Sequence, residues 1–410
     1  MKAKIQIADK KIKGTLQLTG SKSISNRLLI LQALSGQMSP LKNLSNSDDT
    51  MVLQKALSSK DVTVDVGIAG TAMRFLTAYY AIQDSVTILT GASRMKERPI
   101  KDLVDALRSL GAEVDYMEKE GFPPLKIKGK KLQGGKLSIK ADVSSQFISA
   151  ILMISPYFEK GIQLELVGEV LSRPYIEMTL NLMQQQGVGH KWEGNTISIL
   201  PGVYYDNVRE VESDWSSISY IFELVALSDS GEISLTQVEE VSVQGDQEGM
   251  NYFQLLGVDS SIDNGVLTLS KKPDFELPEY LEFDCTKTPD LAQTLAATAC
   301  ALGIRMKITG LKSLPIKETD RLMALKIELE KCGAEVHIIN NEALELIPGE
   351  EFSTKDFNFA TYGDHRMALC LAPLALKSHS VTVDNPAVVN KSYKSYWEDL
   401  KSMLFDIHLF

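Results

Sequence analysis

The segment from Thr19 to Leu34, TGSKSISNRLLILQAL, joins a small polar cluster to an apolar run dense enough to predict a helix enclosed on most sides. The same form recurs in GIAGTAMRFLTAYYA near Gly70, DVSSQFISAILMI near Ser144, SDWSSISYIFELVAL near Asp214, TKTPDLAQTLAATACAL near Pro289 and YGDHRMALCLAPLAL near Asp364. From Gly70 onward these starts fall roughly 70 to 75 residues apart, a spacing that points to repeated supersecondary units. A more amphipathic segment follows each one: DDTMVLQKAL, RPIKDLVDALRSLGAEV, SRPYIEMTLNLMQQQGV, GDQEGMNYFQLLGV, KETDRLMALKIELEKCGAEV and SYWEDLKSML. Several stop at Gly before a short alternating run, as at Gly111 and Gly333, which predicts a helix C-terminus feeding a strand. KLSIKA, IQLELVG, TISIL, EISLTQV, VLTLS, MKITG, LELIP and SVTVDN alternate with period two and are strand candidates.

The elements predict a mixed α/β chain of βαβαββ-type units, three to a domain and two domains. The break falls near Glu212 to Asp214, giving one domain of residues 21–212 and another of 1–20 with 213–410. Alternation of strands and helices without true repetition, common in large α/β proteins, remains the other reading of the same pattern.

A chain of 410 residues, 44% hydrophobic, exceeds what one core usually serves, in keeping with two domains. No apolar run approaches a membrane span or follows the first lysines as a signal peptide would, so a cytoplasmic protein is expected. A net charge of −10 argues against a nucleic-acid or anionic-membrane partner. The four cysteines form no CxxC pair and sit in apolar contexts, so buried reduced thiols are expected rather than disulfides or a structural metal. In so acidic a chain, the placement of individual Lys and Arg residues carries the information.

Lys22, Ser23 and Arg27 stand at the first helix start. A P-loop is excluded, because its Lys must directly follow Gly and here Ser21 intervenes. Arg74 stands in GTAMRF, Arg94, Lys96, Arg98 and Lys101 in SRMKERPIKDL, Lys317 and Arg321 in KETDRL, and His365 and Arg366 after a plausible N-cap, Asp364. KETDRL is read with its charges in the first turn of a helix, where acids are ordinary but cations oppose the helix dipole unless an anion is bound. Each start alone fits a solvated helix end; five in an acidic chain suggest a common anionic centre. Ser144, Ser145 and Gln146 at a helix start, with Ser172 and Tyr175 just before one, add neutral donors. Asp290 and Glu318 are the carboxylates that general acid/base chemistry needs.

GSKSISNR, AGTAMR, RMKERPI, SSQF, SRPYIEMT, DWSSISY, IKETDRL, GDHRMA and KSYKSYWEDL, in this order and over essentially the whole chain, resemble the 5-enolpyruvylshikimate-3-phosphate synthase family. The resemblance implies a two-domain inside-out α/β barrel, usually monomeric, with no metal or organic cofactor. It implies transfer of the enolpyruvyl group of phosphoenolpyruvate to the 5-hydroxyl of shikimate 3-phosphate, in a cleft where helix starts of both domains converge. Lys22, Ser23, Arg27, Ser144, Ser145, Gln146, Ser172, Tyr175, Asp290 and Lys317 are then the shikimate 3-phosphate residues. Lys22, Gly70, Arg98, Gln146, Arg321, Arg366 and Lys391 surround phosphoenolpyruvate. Asp290 is the base at the 5-hydroxyl, Glu318 the proton donor and acceptor at the methylene carbon, and Lys22 assists. Ile68, Phe75, Ser313 and Pro315 depart from the family's usual Asn, Pro, Asn and Arg, so altered affinity is expected. The alternatives are enolpyruvyl transfer to UDP-N-acetylglucosamine, whose enzymes use a loop cysteine that none of the four here matches, and a non-catalytic anion-binding protein on the same fold.

Overall fold

The computed structural model describes residues 1–410 apart from 38, 142, 143, 169, 171, 172, 206, 209, 350, 351 and 353. The described residues include twelve α-helices: α1 (Lys22–Ser35), α2 (Asp48–Ser58), α3 (Gly70–Ala81), α4 (Lys101–Ser109), α5 (Ser145–Ile154), α6 (Arg173–Gln185), α7 (Trp215–Leu227), α8 (Gly249–Gln254), α9 (Ala292–Leu302), α10 (Arg321–Glu330), α11 (His365–Leu371) and α12 (Tyr396–Ser402). None is long and apolar enough to cross a membrane. The odd-numbered helices are those of the apolar runs, and they are buried over most of their length; α11 is buried at every position. The even-numbered helices bury one face only, as their mixed sequences require.

The chain divides into two compact units, Gly20–Val211 and Met1–Thr19 with Glu212–Phe410. In the second unit three four-stranded sheets share one pattern: an edge strand parallel to its neighbour, then two antiparallel strands. The first sheet runs Lys11–Leu16, Ser230–Thr236, Val266–Lys271, Val258–Asp263. The next runs Tyr280–Asp284, Arg305–Thr309, Ala343–Ile347, Glu335–Ile339. In the last, Asp356–Phe359 and Ser380–Asp384 are followed by Lys2–Gln6 and Asp406–Leu409, so the two ends of the sequence pair in one sheet. The core of this unit lies among α7, α9 and α11, where Trp215, Phe222, Leu295 and Leu369 are buried together.

The unit Gly20–Val211 repeats the pattern twice. Thr63–Asp65, Val86–Thr90, Leu125–Lys128 and Glu113–Tyr116 form one sheet; Gly135–Lys140, Ile162–Val167, Thr196–Ile199 and Lys191–Glu193 form the other. Residues 20–62 contribute α1 and α2, and the isolated bridge Lys42–Glu210 stands where a further sheet would be. Gly111 and Gly333 follow α4 and α10 with φ of 98° and 86°, the left-handed turn that lets the chain reverse into the next strand. The four cysteines are buried and free.

Two differences from the sequence reading bear on the site. The helix after KETDRL begins at Arg321, with Asp320 as its N-cap accepting from Met323 N at 3.1 Å, so Lys317 and Glu318 precede the helix. Pro315 in the preceding 3-10 turn, Leu314–Ile316, already bends the chain there, and a cap belongs to the residue nearest the periodic run. Tyr175 lies inside α6, not before it. Pro174 at the second helical position is compatible with that start, since its missing N–H is an unpaired group there anyway.

Candidate functional site

In the unit Gly20–Val211, Lys22, Arg27 and Arg98 have no carboxylate partner among the described residues, unlike the surface cations of the same unit. Ser21 caps α1, its hydroxyl accepting from Ile24 N at 3.4 Å, and so places Lys22 and Ser23 in the first turn. Among the described residues Lys22, half-buried, makes no hydrogen bond or ion pair. Arg27, one turn on, is 3% exposed. Its guanidinium donates to Thr179 Oγ1 at 2.7 Å, Ser23 O at 2.9 Å, and Ser149 Oγ and Tyr175 O at 3.3 Å, with the Phe75 ring centroid 5.4 Å away. Every one of these partners is a neutral oxygen. Burial pulls Arg27 down to about 10, which leaves it charged at neutral pH. A buried cation held only by neutral dipoles keeps part of its desolvation cost uncompensated.

A second group of polar side chains gathers at the start of α3. A Cβ on Gly70 would lie 2.5 Å from Arg98 Nη1, so the bare glycine leaves the room that the guanidinium occupies over the helix start. Gln146, at the start of α5, donates through Nε2 to Thr71 Oγ1 at 3.2 Å and ties the two starts together. Ser144 caps α5, accepting from Gln146 N at 3.3 Å, and Ser145 opens it. Of the other cations in this stretch, Arg94, Lys96 and Lys101 are taken up by Glu97, Glu118, Asp105 and Glu120 at the surface. Arg74 is a brace: it donates to Gly70 O at 3.2 Å and Pro99 O at 3.1 Å, fixing the loop that carries Arg98. The predicted Ser172 lies outside the described residues. Ile68 is exposed in the turn before α3.

The other unit presents the opposite arrangement, cations interleaved with acids. Arg321, 2% exposed, reaches Asp364 Oδ2 at 2.6 Å, Glu318 Oε2 at 2.9 Å and Asp290 Oδ1 at 3.0 Å. Burial opposes its charge, but Asp364, Glu318 and Asp290 together outweigh it and raise its pKa. Arg366 donates through Nη2 to Asp290 Oδ2 at 2.7 Å and through Nη1 to Tyr220 Oη at 3.1 Å. Lys391 Nζ, at the end of the 3-10 turn Pro386–Lys391, meets Glu318 Oε1 at 2.6 Å. Asp290 therefore lies between two guanidiniums, and Glu318 between a guanidinium and an ammonium. Lys317, half-covered, is pushed down by burial, with Arg321 and Arg366 acting in the same direction.

The residues that sequence reasoning passed over are the ones that hold these groups. Asp364 looks like a cap and is one, its Oδ1 accepting from Arg366 N at 2.9 Å, but it is also the acid behind Arg321. Ser216 and Asp246 join the same cluster: the two bond to one another, and Arg366 Nη2 is 3.5 Å from Ser216 Oγ. Thr179, Ser149 and Thr71 do the corresponding work around Arg27 and Gln146. No local motif marks such residues, because their roles depend on contacts across the fold.

Three cations without a carboxylate partner among the described residues of one unit, and acids salt-bridged to buried cations in the other, mark the class: an α/β protein with charged groups gathered at its helix starts. The description of the EPSP synthase (3-phosphoshikimate 1-carboxyvinyltransferase) family matches residues 7–60 and 52–400, and the chain belongs to that family. It is 45% identical over 402 residues to the 3-phosphoshikimate 1-carboxyvinyltransferase of Bacteroides fragilis strain YCH46, covering 98% of this chain and 97% of that one. It is 35% identical over 434 residues to the enzyme of that name from Haemophilus influenzae strain PittGG, covering 96% of each. The EPSP synthase structure from Acinetobacter baumannii superposes over 100% of both chains with a TM-score of 0.78 at 20% identity, which is a likeness of fold.

Proposed function

We propose that the chain transfers the enolpyruvyl group of phosphoenolpyruvate to the 5-hydroxyl of shikimate 3-phosphate, releasing phosphate. The observation that carries the chemistry is the contrast between Lys22, Arg27 and Arg98, which have no carboxylate partner among the described residues, and the ion-paired Asp290 and Glu318. Ser23, Arg27, Ser144, Ser145, Tyr175 and Lys317 hold shikimate 3-phosphate. Gly70, Arg98, Arg321, Arg366 and Lys391 receive phosphoenolpyruvate, and Lys22 and Gln146 serve both. Each charge-assisted bond contributes about 1.5–3 kcal/mol net, so several are needed to desolvate two such anions. The role of Ser172 is proposed on its motif alone.

Glu318 protonates the methylene carbon of the enol, which leaves a cation-like centre at its neighbour. Asp290 takes the proton of the attacking hydroxyl, and a tetrahedral adduct forms. Glu318, now a carboxylate steadied by Arg321 and Lys391, removes a methyl proton as the carbon–phosphate oxygen bond breaks, restoring the enol ether, and the proton held by Asp290 leaves with the released phosphate. The salt bridges favour the ionised form of Glu318 and so suit the second half of the cycle, in which it acts as the base. The accompanying fold is the two-domain inside-out barrel with three units per domain, 21–212 and 1–20 plus 213–410, which five sheets of one strand order support. A cytoplasmic monomer is the corresponding state of the protein.

Phosphate release from phosphoenolpyruvate should require shikimate 3-phosphate and fall by about two to four orders of magnitude in Glu318→Gln. Release with UDP-N-acetylglucosamine instead would replace this acceptor. Binding of shikimate 3-phosphate without any turnover would make the chain an anion-binding protein.

A further inference from the structure

We propose that Asp246 is a positioning residue that sets the proton affinity of Asp290, acting through Ser216 and Arg366. Asp246 lies in the 3-10 turn Gly245–Glu248 and is 6% exposed. Its Oδ2 bonds the Ser216 hydroxyl; Ser216 Oγ is 3.5 Å from Arg366 Nη2, and that same nitrogen donates to Asp290 Oδ2 at 2.7 Å. One guanidinium nitrogen thus answers to both carboxyls. The turn is fastened to the start of α7 by Gln244, whose Oε1 accepts from Trp215 N at 3.1 Å and whose Nε2 donates to Ser213 O at 3.0 Å. The arrangement is therefore built in, not a chance approach of two loops.

The charged and titratable groups facing Asp246 are Asp214 from the start of α7, Arg366 from α11, and Asp290 and Cys285 from residues 285–291. Burial, and next the charge of Asp290, push the Asp246 carboxyl up to about 7, while Arg366 and Ser216 oppose the rise. Cys285 stays a thiol, pushed up to about 12 by burial. Near neutral pH Asp246 changes charge beside Asp290. Protonated, it leaves Arg366 to Asp290 and keeps that carboxylate a weak base. Ionised, it divides Arg366 and repels Asp290, which strengthens the base. Linkage makes the effect mutual, so whatever neutralises Asp290 must also lower the titration of Asp246.

The inference rests on the proposed role of Asp290 for its consequence, but the coupling itself is measurable without turnover. The full chain, labelled with 13C at aspartate carboxyls, is titrated by NMR from about pH 5 to 9, with Asp246→Asn supplying the assignment. The Asp246 carbon should titrate near neutrality in the parent and about a unit or more lower in Asp290→Asn. In Ser216→Ala, which removes a bond favouring the carboxylate, it should titrate higher. Should Asp246→Asn not fold, the carbon displaced in opposite directions by the other two variants identifies the residue. A carbon that ignores Asp290→Asn overturns the proposal. In phosphate release, the near-neutral inflection of kcat/KM should disappear in Asp246→Asn and move upward in Ser216→Ala; an inflection unchanged in Asp246→Asn overturns it too. Coupled carbons with no turnover on either acceptor would sink the proposed reaction and leave the coupling standing.

Discussion

Arg27 and Arg321 are both buried guanidiniums, yet their surroundings give opposite expectations. Arg321 is surrounded by three acids, and removing it would take away the guanidinium of buried Asp364 and leave Asp290 to Arg366 and Glu318 to Lys391. Arg27 has hydroxyl and carbonyl partners only, so its charge costs desolvation that a bound anion offsets. Arg27→Met should weaken shikimate 3-phosphate binding by about ten- to a hundredfold, matching one charge-assisted bond of about 1.5–3 kcal/mol. Its ligand-free thermal midpoint should hold or rise, because the buried charge is gone. Calorimetric titration and thermal melts check both halves; a lowered midpoint with undiminished affinity would make Arg27 a structural cation.

Among the elements, α7 carries a charge its packing does not use. Glu223 is wholly buried in this otherwise apolar helix, and among the described residues neither carboxyl oxygen has a hydrogen-bond partner. Burial pushes its pKa well above the carboxylate range. The native state then keeps a proton that the unfolded chain has released, so stability falls as pH rises above the unfolded value, by about 1.4 kcal/mol per unit. Glu223→Leu should therefore raise the thermal midpoint, with a gain over the parent that widens from pH 5 to pH 8. A constant gain would mean that the carboxyl is not protonated when folded. Elements of this kind were legible because periodicity reports burial: the apolar run of SDWSSISYIFELVAL announces α7, Glu223 notwithstanding. The boundary at Arg321 was less legible, since three polar residues in KETDRL could each cap the helix and tertiary contacts choose Asp320. Asp364 could be read only as a cap, and Asp246 only as an acid at the start of an amphipathic segment, because their partners lie 43 residues away at Arg321 and 30 away at Ser216.

For the molecule as a whole, the sheet joining Lys2–Gln6 to Ser380–Asp384 and Asp406–Leu409 is the most demanding pairing. Lys2–Gln6 is an interior strand, with Ala3 and Ile5 fully buried, and it depends on both neighbours. Deleting residues 406–410 should expose one edge of it, lower the thermal midpoint and increase aggregation, as unpaired edges do; light scattering on heating reads the result, and an unchanged melt would show that the last strand is dispensable. The same pairing also sets an order of events in the cell. At translation speeds of about 5–20 residues per second, Lys2–Gln6 leaves the ribosome roughly 20–80 seconds before the last strand it must pair with exists. Throughout that interval a strand whose Ala3 and Ile5 must be buried awaits its partners, and about halfway through it Gly20–Val211 is already made. A nascent-chain binding factor that covers the first residues during synthesis would thus protect the step on which completion of the second unit waits.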